Sequence, residues 1–213
     1  MSSTPAGAAT TNRWVECSLG HHHWGSAGAA GLLVRSSDGR VLMQHRAPWV
    51  DHGDTWGIPS GALHEGETPV CGALREATEE FGTDLAGRVS VQGVVEDDHG
   101  GWVFHTVIAT MNPDALGDAL PGEASGTQPG GVDAVELGRW GHRWVPITAV
   151  LVAAGVATAR TGDPGDPGSP GNPGNPGGAG APPTSAVEPW VDSLVLHPGF
   201  AAALRSGLLT PHL

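Results

Sequence analysis

The stretch "TPVCGALREATEEFG", Thr68 to Gly82, constrains the fold more than any other part of the chain. It carries its own start and stop signals for a helix. Thr68 suits the N-cap, where a side-chain oxygen accepts from an orphan backbone N–H, and Pro69 suits the first helical position, where its missing donor costs nothing. Gly82 supplies the stop. Between them Val70, Ala73, Leu74, Ala77 and Phe81 recur at helical spacing and fall within roughly 100° of arc. Glu76, Glu79 and Glu80 form a second stripe at i, i+3 and i+4, centred roughly 115° from the first. One face of this helix is core and the adjacent face is acid. Like charges so placed repel by roughly 0.2–0.5 kcal/mol per pair. Taken alone, the cluster reads as a solvated face steadied by Arg75 and Glu79 four residues apart.

On either side of this helix the chain alternates strand-like runs with turn signals. "GAAGLLVRSSDGRVLMQHRA" holds two β-type runs around Asp38-Gly39, which predicts a hairpin of Ala29–Arg35 and Arg40–Arg46. "HGDTWGIPSGAL" predicts a short strand or loop around Ile58. "RVSVQGVVEDDHGGWVFHTVIATM" predicts a second hairpin, Val89–Val95 and Trp102–Met111, with Asp97, Asp98 and His99 in its polar turn. Residues 112–135 read as loop, "RWVPI" as a short strand near Trp144, Thr148–Arg160 as an Ala-rich helix, and "HPGFAAALRSGLL" as a terminal helix starting near Pro198. The expected organisation is a disordered stretch over residues 1–12, a domain over 13–161, a low-complexity insertion over 162–184 and a C-terminal segment over 185–213 that packs back on the domain.

That insertion contains "DPGDPGSPGNPGNPG", with glycine at every third position from Gly162 to Gly180. This is the collagen period, but the tract is too short for a stable triple helix, and a spacer role is expected. A trimerising scaffold is the competing reading. The 213 residues suffice for one domain with a real core. A formal net charge of −12 excludes a general nucleic-acid or anionic-membrane binder. All ten basic residues are arginines, so Schiff-base chemistry and a P-loop lysine are excluded as well. Two cysteines do not make a disulfide framework. With no apolar leader and no run near the ~20 residues a membrane span needs, the expectation is a soluble cytoplasmic protein.

Extended leftward, the helix segment becomes "GALHEGETPVCGALREATEEFGT", Gly61 to Thr83. This resembles the Nudix box, whose invariant letters are all present as Gly61, Glu67, Arg75, Glu76, Glu79, Glu80 and Gly82. Ala77 fills one apolar slot weakly, and Thr83 stands where Ile, Leu or Val is usual. The resemblance extends more loosely from about Ala29 to Val145. It implies an α/β fold of the Nudix type, an α/β/α sandwich with a mixed β-sheet and the box as loop–helix–loop. It also implies a pyrophosphohydrolase that cleaves a nucleoside diphosphate linked to another moiety by water attack.

Under that resemblance Glu79 and Glu80 are metal ligands, and Glu76 is a ligand or the base for the attacking water. Arg75 orients a glutamate, Glu67 in particular, and the backbone carbonyl of Ser60 is a further ligand. The physics of the donor set agrees: dense carboxylate oxygens suit a hard cation, Mg²⁺ or alternatively Mn²⁺, completed by substrate phosphates. Arg46 is a candidate phosphate contact, and Glu136 is the candidate carboxylate from outside the box, with Asp97 and Asp98 as rivals. Trp56 is expected to pack. The expected partner is a small nucleotide-type substrate; a homodimer is not derivable. A fold that binds nucleotide without cleaving it is the alternative. Finally, "CSLGHHHWG" places Cys17, His21 and His23 at a spacing that suits Zn²⁺, but with three donors and no fourth; loop or edge-strand structure is the expectation.

Overall fold

A computed structural model describes residues 11–112, 139–156 and 194–213. Of the stretch 1–12 expected to be disordered, residues 1–10 lie outside the described residues, as do the Pro/Gly tract and Glu136; Thr11 is held, its carbonyl accepting from the Arg13 and Ser26 N–H groups at 2.9 and 2.8 Å. Nine strands are described: β1 (Trp14–Glu16), β2 (His22–Trp24), β3 (Ala29–Arg35), β4 (Arg40–Arg46), β5 (Trp56–Gly57), β6 (Ser60–Ala62), β7 (Val89–Asp98), β8 (Val103–Met111) and β9 (Arg139–Pro146). The helices are α1 (Pro69–Phe81), α2 (Ile147–Ala153) and α3 (Pro198–Arg205).

β1 and β2 form a small sheet of their own; the other seven strands form one sheet with β5-β4-β3-β8-β7 as its spine. That sheet is mixed, because β3 and β8 run parallel over Ala29–Arg35 while the other strand pairings are antiparallel. Period-two alternation along β3 sorts its side chains onto two faces. Ala30, Leu32 and Val34 pack with Ala73, Ala77 and Phe81 of α1, whereas Leu33 packs with Val150 of α2 and with Phe200, Ala201 and Leu204 of α3. The result is the α/β/α sandwich that the resemblance implied.

Helix α1 follows its sequence closely. The Thr68 hydroxyl accepts from the Cys71 N–H at 3.2 Å, and Gly82, at φ +68°, closes the helix by donating to the Thr78 carbonyl. Ala77 is fully buried, so the weak apolar slot is a point of close approach. Leu85, two residues beyond Thr83, is also fully buried and belongs to the α1-facing cluster.

Five elements differ from expectation. The β3 and β4 strands have the expected limits but pair only at Arg35↔Val41. Beyond the turn they diverge: β6 takes Ala29–Gly31 of β3, and β9 takes the whole of β4. That divergence lets the loop leading into α1 enter the sheet. Strand β7 continues through Asp97 and Asp98, which pair with Phe104 and Val103, so the turn is tighter than its polar composition suggested. Helix α2 ends at Ala153, because Gly155 follows closely and stops it. Strand β9 is longer than the short strand expected near Trp144, since it runs along all of β4. No helix among the described residues is long and apolar enough to cross a membrane.

Candidate active site

The site grows from the contact between α1 and the loop–strand segment around β6. Gly61 is the point of closest approach: a Cβ there would lie 2.2 Å from the Glu76 carboxyl carbon. Any side chain at Gly61 would therefore displace that carboxylate, which explains why glycine stands at this position. Arg75 ties the surrounding charges together. Its Nε and Nη2 donate to the two Glu67 oxygens, each at 2.9 Å, in a bidentate pair. Nη1 donates to Glu76 Oε1 at 2.6 Å and lies 3.5 Å from Glu79 Oε1, while Nη2 also reaches the Ala62 carbonyl at 2.9 Å. The fork geometry of guanidinium suits this multiple grip, which a lysine could not reproduce.

The carboxylates differ in environment. Glu67, held by Arg75 and by the His64 N–H at 2.9 Å, has its pKa lowered to about 2. Glu76 goes the other way, because burial raises its pKa against the opposing pull of Arg75. Glu80 is enclosed between β4 and β6, accepts from the Ser60 N–H at 3.1 Å and meets Gln44; burial, then the Glu76 charge, pushes its pKa up to about 8. Glu79 stands out toward solvent, with half of its side chain exposed. The acid stripe is thus one inward pair, Glu76 and Glu80, and one outward residue. Glu76 and Glu79 both face Arg75 Nη1 while Glu80 holds the Ser60 N–H, so the three carboxylates do not meet at one point.

A cavity of about 460 Å³ opens beside them, lined by Ser60, Gly61, Arg46, Ile58, Phe104 and His197 among others. The Arg46 guanidinium is aimed by the Asp51 carbonyl, at 2.9 Å from Nη2 and 3.2 Å from Nε. Trp56 stacks on His45 with ring centroids 4.8 Å apart and packs against the α2/α3 core, as expected of a structural tryptophan. Asp97 lies at the cavity wall, and Asp98 accepts from the Gly100 N–H at 2.8 Å, a turn-stabilising contact.

Two cavity residues carried no sequence signal. His197 arrives from the far end of the chain because Trp56 N–H donates to the Val195 carbonyl and His197 N–H donates to the Trp56 carbonyl. Burial first, then the Arg46 charge, lowers the His197 pKa to about 4, leaving a neutral imidazole in the pocket. His52 sits edge-on to it at 5.0 Å.

A mixed sheet between helices, with an Arg-clamped glutamate helix crossing a glycine loop, defines a Nudix-type domain. The chain belongs to the Nudix family: the family's NUDIX domain matches residues 25–162. It is 30% identical to the crystal structure of RenU, a Nudix hydrolase from M. smegmatis, with a TM-score of 0.55 and coverage of 95% of this chain and 98% of that one. It is 44% identical over 106 residues to a nucleoside triphosphate pyrophosphatase/Nudix hydrolase fusion protein of Bifidobacterium longum, covering 47% of this chain and 22% of the relative. It is also 41% identical over 124 residues to a Mycobacterium tuberculosis protein that carries the name 8-oxo-dGTP diphosphatase, covering 53% of this chain and 55% of that one. The chain therefore spans little more than half, or less, of the length of these two curated relatives.

Proposed function

We propose that this protein is a divalent-metal-dependent pyrophosphohydrolase acting on a nucleoside diphosphate linked to a second moiety. The observation that carries this reading is the inward pair Glu76 and Glu80, packed against Gly61 and Ser60 at the rim of a cavity that also presents Arg46. The names of relatives as pyrophosphatases and diphosphatases support it.

The residues fit a hard divalent ion such as Mg²⁺ or Mn²⁺. The donors are all oxygen, and Glu80 is a carboxylate that burial keeps from ionising until a cation offsets its charge. Glu79 and Glu80 would hold the metal, with the Ser60 carbonyl beside them, which leaves Glu76 as the base. Such ions neutralise phosphate charge and lower the pKa of bound water. The chain's own residues do the rest. Glu76, with its raised proton affinity, takes a proton from the attacking water. Arg75 keeps Glu76 aimed at the loop and anchors Glu67, which braces the segment between β6 and α1. Arg46 and the neutral His197 bind the phosphates and the base-bearing end of the substrate across the cavity. Glu136 remains the proposed carboxylate from outside the box.

Chromatographic product analysis over a panel of nucleoside triphosphates, nucleotide sugars and dinucleoside polyphosphates, with Mg²⁺ and with Mn²⁺, tests the reading. Cleavage within the diphosphate by the wild type, lost in folded Glu76→Gln and Glu79→Gln proteins, is expected. Nucleotide that binds and returns intact would instead establish a sensor.

A further inference from the structure

We propose that Cys17, His21, His23 and His99 form a structural Zn²⁺ site that staples the N-terminal β1–β2 hairpin to the β7–β8 turn at the wall of the cavity. The sequence offers three donors within "CSLGHHH"; the fold supplies the fourth. Ligand atoms of all four residues lie within 4.8 Å of one another. A tetrahedral site of one sulfur and three nitrogens needs separations of about 3.3–3.6 Å, given Zn–N near 2.0–2.1 Å and Zn–S near 2.3 Å. Closing the shell takes a contraction of about 1 Å, well within side-chain rotation. Cysteine with three imidazoles completes a four-coordinate N/S shell, which zinc favours and the oxygen-seeking Mg²⁺ does not.

Three further observations point to a ligand. First, His23 Nε2 and His99 Nδ1 are both buried, and neither has a hydrogen-bond partner. Two orphaned ring nitrogens in one cluster beside a buried thiol are unexplained by packing alone. Second, the ring orientations are already set. His99 Nε2 lies 3.3 Å from Asp97 Oδ2, so the proton belongs on Nε2 and the lone pair of Nδ1 is left for a metal, the carboxylate–histidine pattern that supports metal ligands. His23 stacks flat on Trp102, centroids 3.9 Å apart and 8° between planes, and Trp102 is itself anchored by its Nε1 donating to the Gly25 carbonyl at 2.9 Å. Third, the two segments are already in register. The Ser18 N–H and hydroxyl both donate to the Gly100 carbonyl, at 2.8 and 2.9 Å, and the Cys17 N–H donates to the His21 carbonyl at 2.9 Å.

The need for a staple follows from size. Two strands of three residues cannot sustain a hairpin in water. Yet His22, His23 and Trp24 of this hairpin, with His99 and Trp102, line the same cavity as Gly61 and Arg46. Cys17, His21 and His23 precede residue 25, where the family match begins, so the site joins the segment ahead of that match to the family domain. The zinc site sets the shape of one cavity wall and shares no ligand with the glutamate cluster. Its failure and that of the proposed hydrolysis are therefore separable.

The test uses the full chain, Co²⁺ as a spectroscopic probe and zinc-loaded wild type for X-ray absorption. Expected are one equivalent of Co²⁺ with tetrahedral d–d bands and a thiolate charge-transfer band. Cys17→Ser and His99→Ala remove the bands and weaken binding at least ~100-fold; Asp97→Asn weakens it about 10–100-fold. Cys71→Ser and Glu79→Gln leave the bands unchanged. Should the ligand variants fail to fold, the zinc edge of the wild type decides: one sulfur and three nitrogens support the site. An oxygen-only shell, no thiolate band, or a band that survives Cys17→Ser in a folded protein overturns it.

Discussion

Replacing Glu80 with glutamine should stabilise the metal-free protein while disabling its metal site. Enclosure between β4 and β6, with the Glu76 charge nearby, raises the Glu80 pKa from 4.5 to about 8. An acid whose folded pKa lies above its unfolded value opposes folding once the unfolded chain ionises. Stability is full below pH 4.5, declines as pH rises toward 8, and stays reduced above that. A displacement of this size corresponds to at most ~3 kcal/mol at pH 7 and ~5 kcal/mol above pH 8. Relaxation of the site and the loss of the charge-assisted bond from Ser60 N–H reduce the net gain to about 1–2 kcal/mol at pH 8. For a chain of this length that is roughly 2–8 °C in Tm. The assay is thermal unfolding of wild type and Glu80→Gln in chelator from pH 5 to 8.5, then repeated with millimolar Mg²⁺. The gap should be near zero at pH 5, widen with pH in favour of the variant, and reverse when Mg²⁺ is added. A wild type that outlasts the variant in chelator at pH 8, or a gap of equal size at pH 5, would rule out a Glu80 carboxyl that opposes folding when ionised.

Other consequences follow from the same cluster. Arg75→Ala leaves Glu67 and Glu76 without their cation and should cost about 3–5 kcal/mol at pH 7 in denaturant unfolding, with Arg75→Lys restoring only part. Glu67 has a depressed pKa, so its contribution is complete above pH 4.5 and is lost as pH falls toward 2; the wild type should lose up to ~3 kcal/mol across that window relative to Glu67→Gln in acid titrations. Gly61→Ala pushes the Glu76 carboxylate off the loop and should lower kcat about 100-fold, with far-UV circular dichroism unchanged.

Local features of this fold are written in local sequence, and pairings are not. Helix α1 was readable because Thr68, Pro69 and Gly82 mark its ends and the apolar stripe has one period. β3 and β4 were readable around Asp38-Gly39. Their divergence was not, since it depends on β6 and β9 competing for the same edges, a matter of tertiary packing. The same limit applies to the charges. Spacing placed Glu76, Glu79 and Glu80 on one face, yet only the loop from Ile58 to Gly61 determines which of them turns inward. Nothing near "CSLGHHH" announces that His99 will meet it, because the β7–β8 turn reaches the hairpin only through the folded sheet.

Hydrolysis in ¹⁸O-labelled water with Mg²⁺ tests whether this protein cleaves a diphosphate by water attack. Mass spectrometry of the products of a cleaved nucleoside diphosphate derivative should show one ¹⁸O on a single phosphorus product, and none formed by Glu76→Gln. Substrate recovered intact by wild type across the panel, or product without the label, would contradict it.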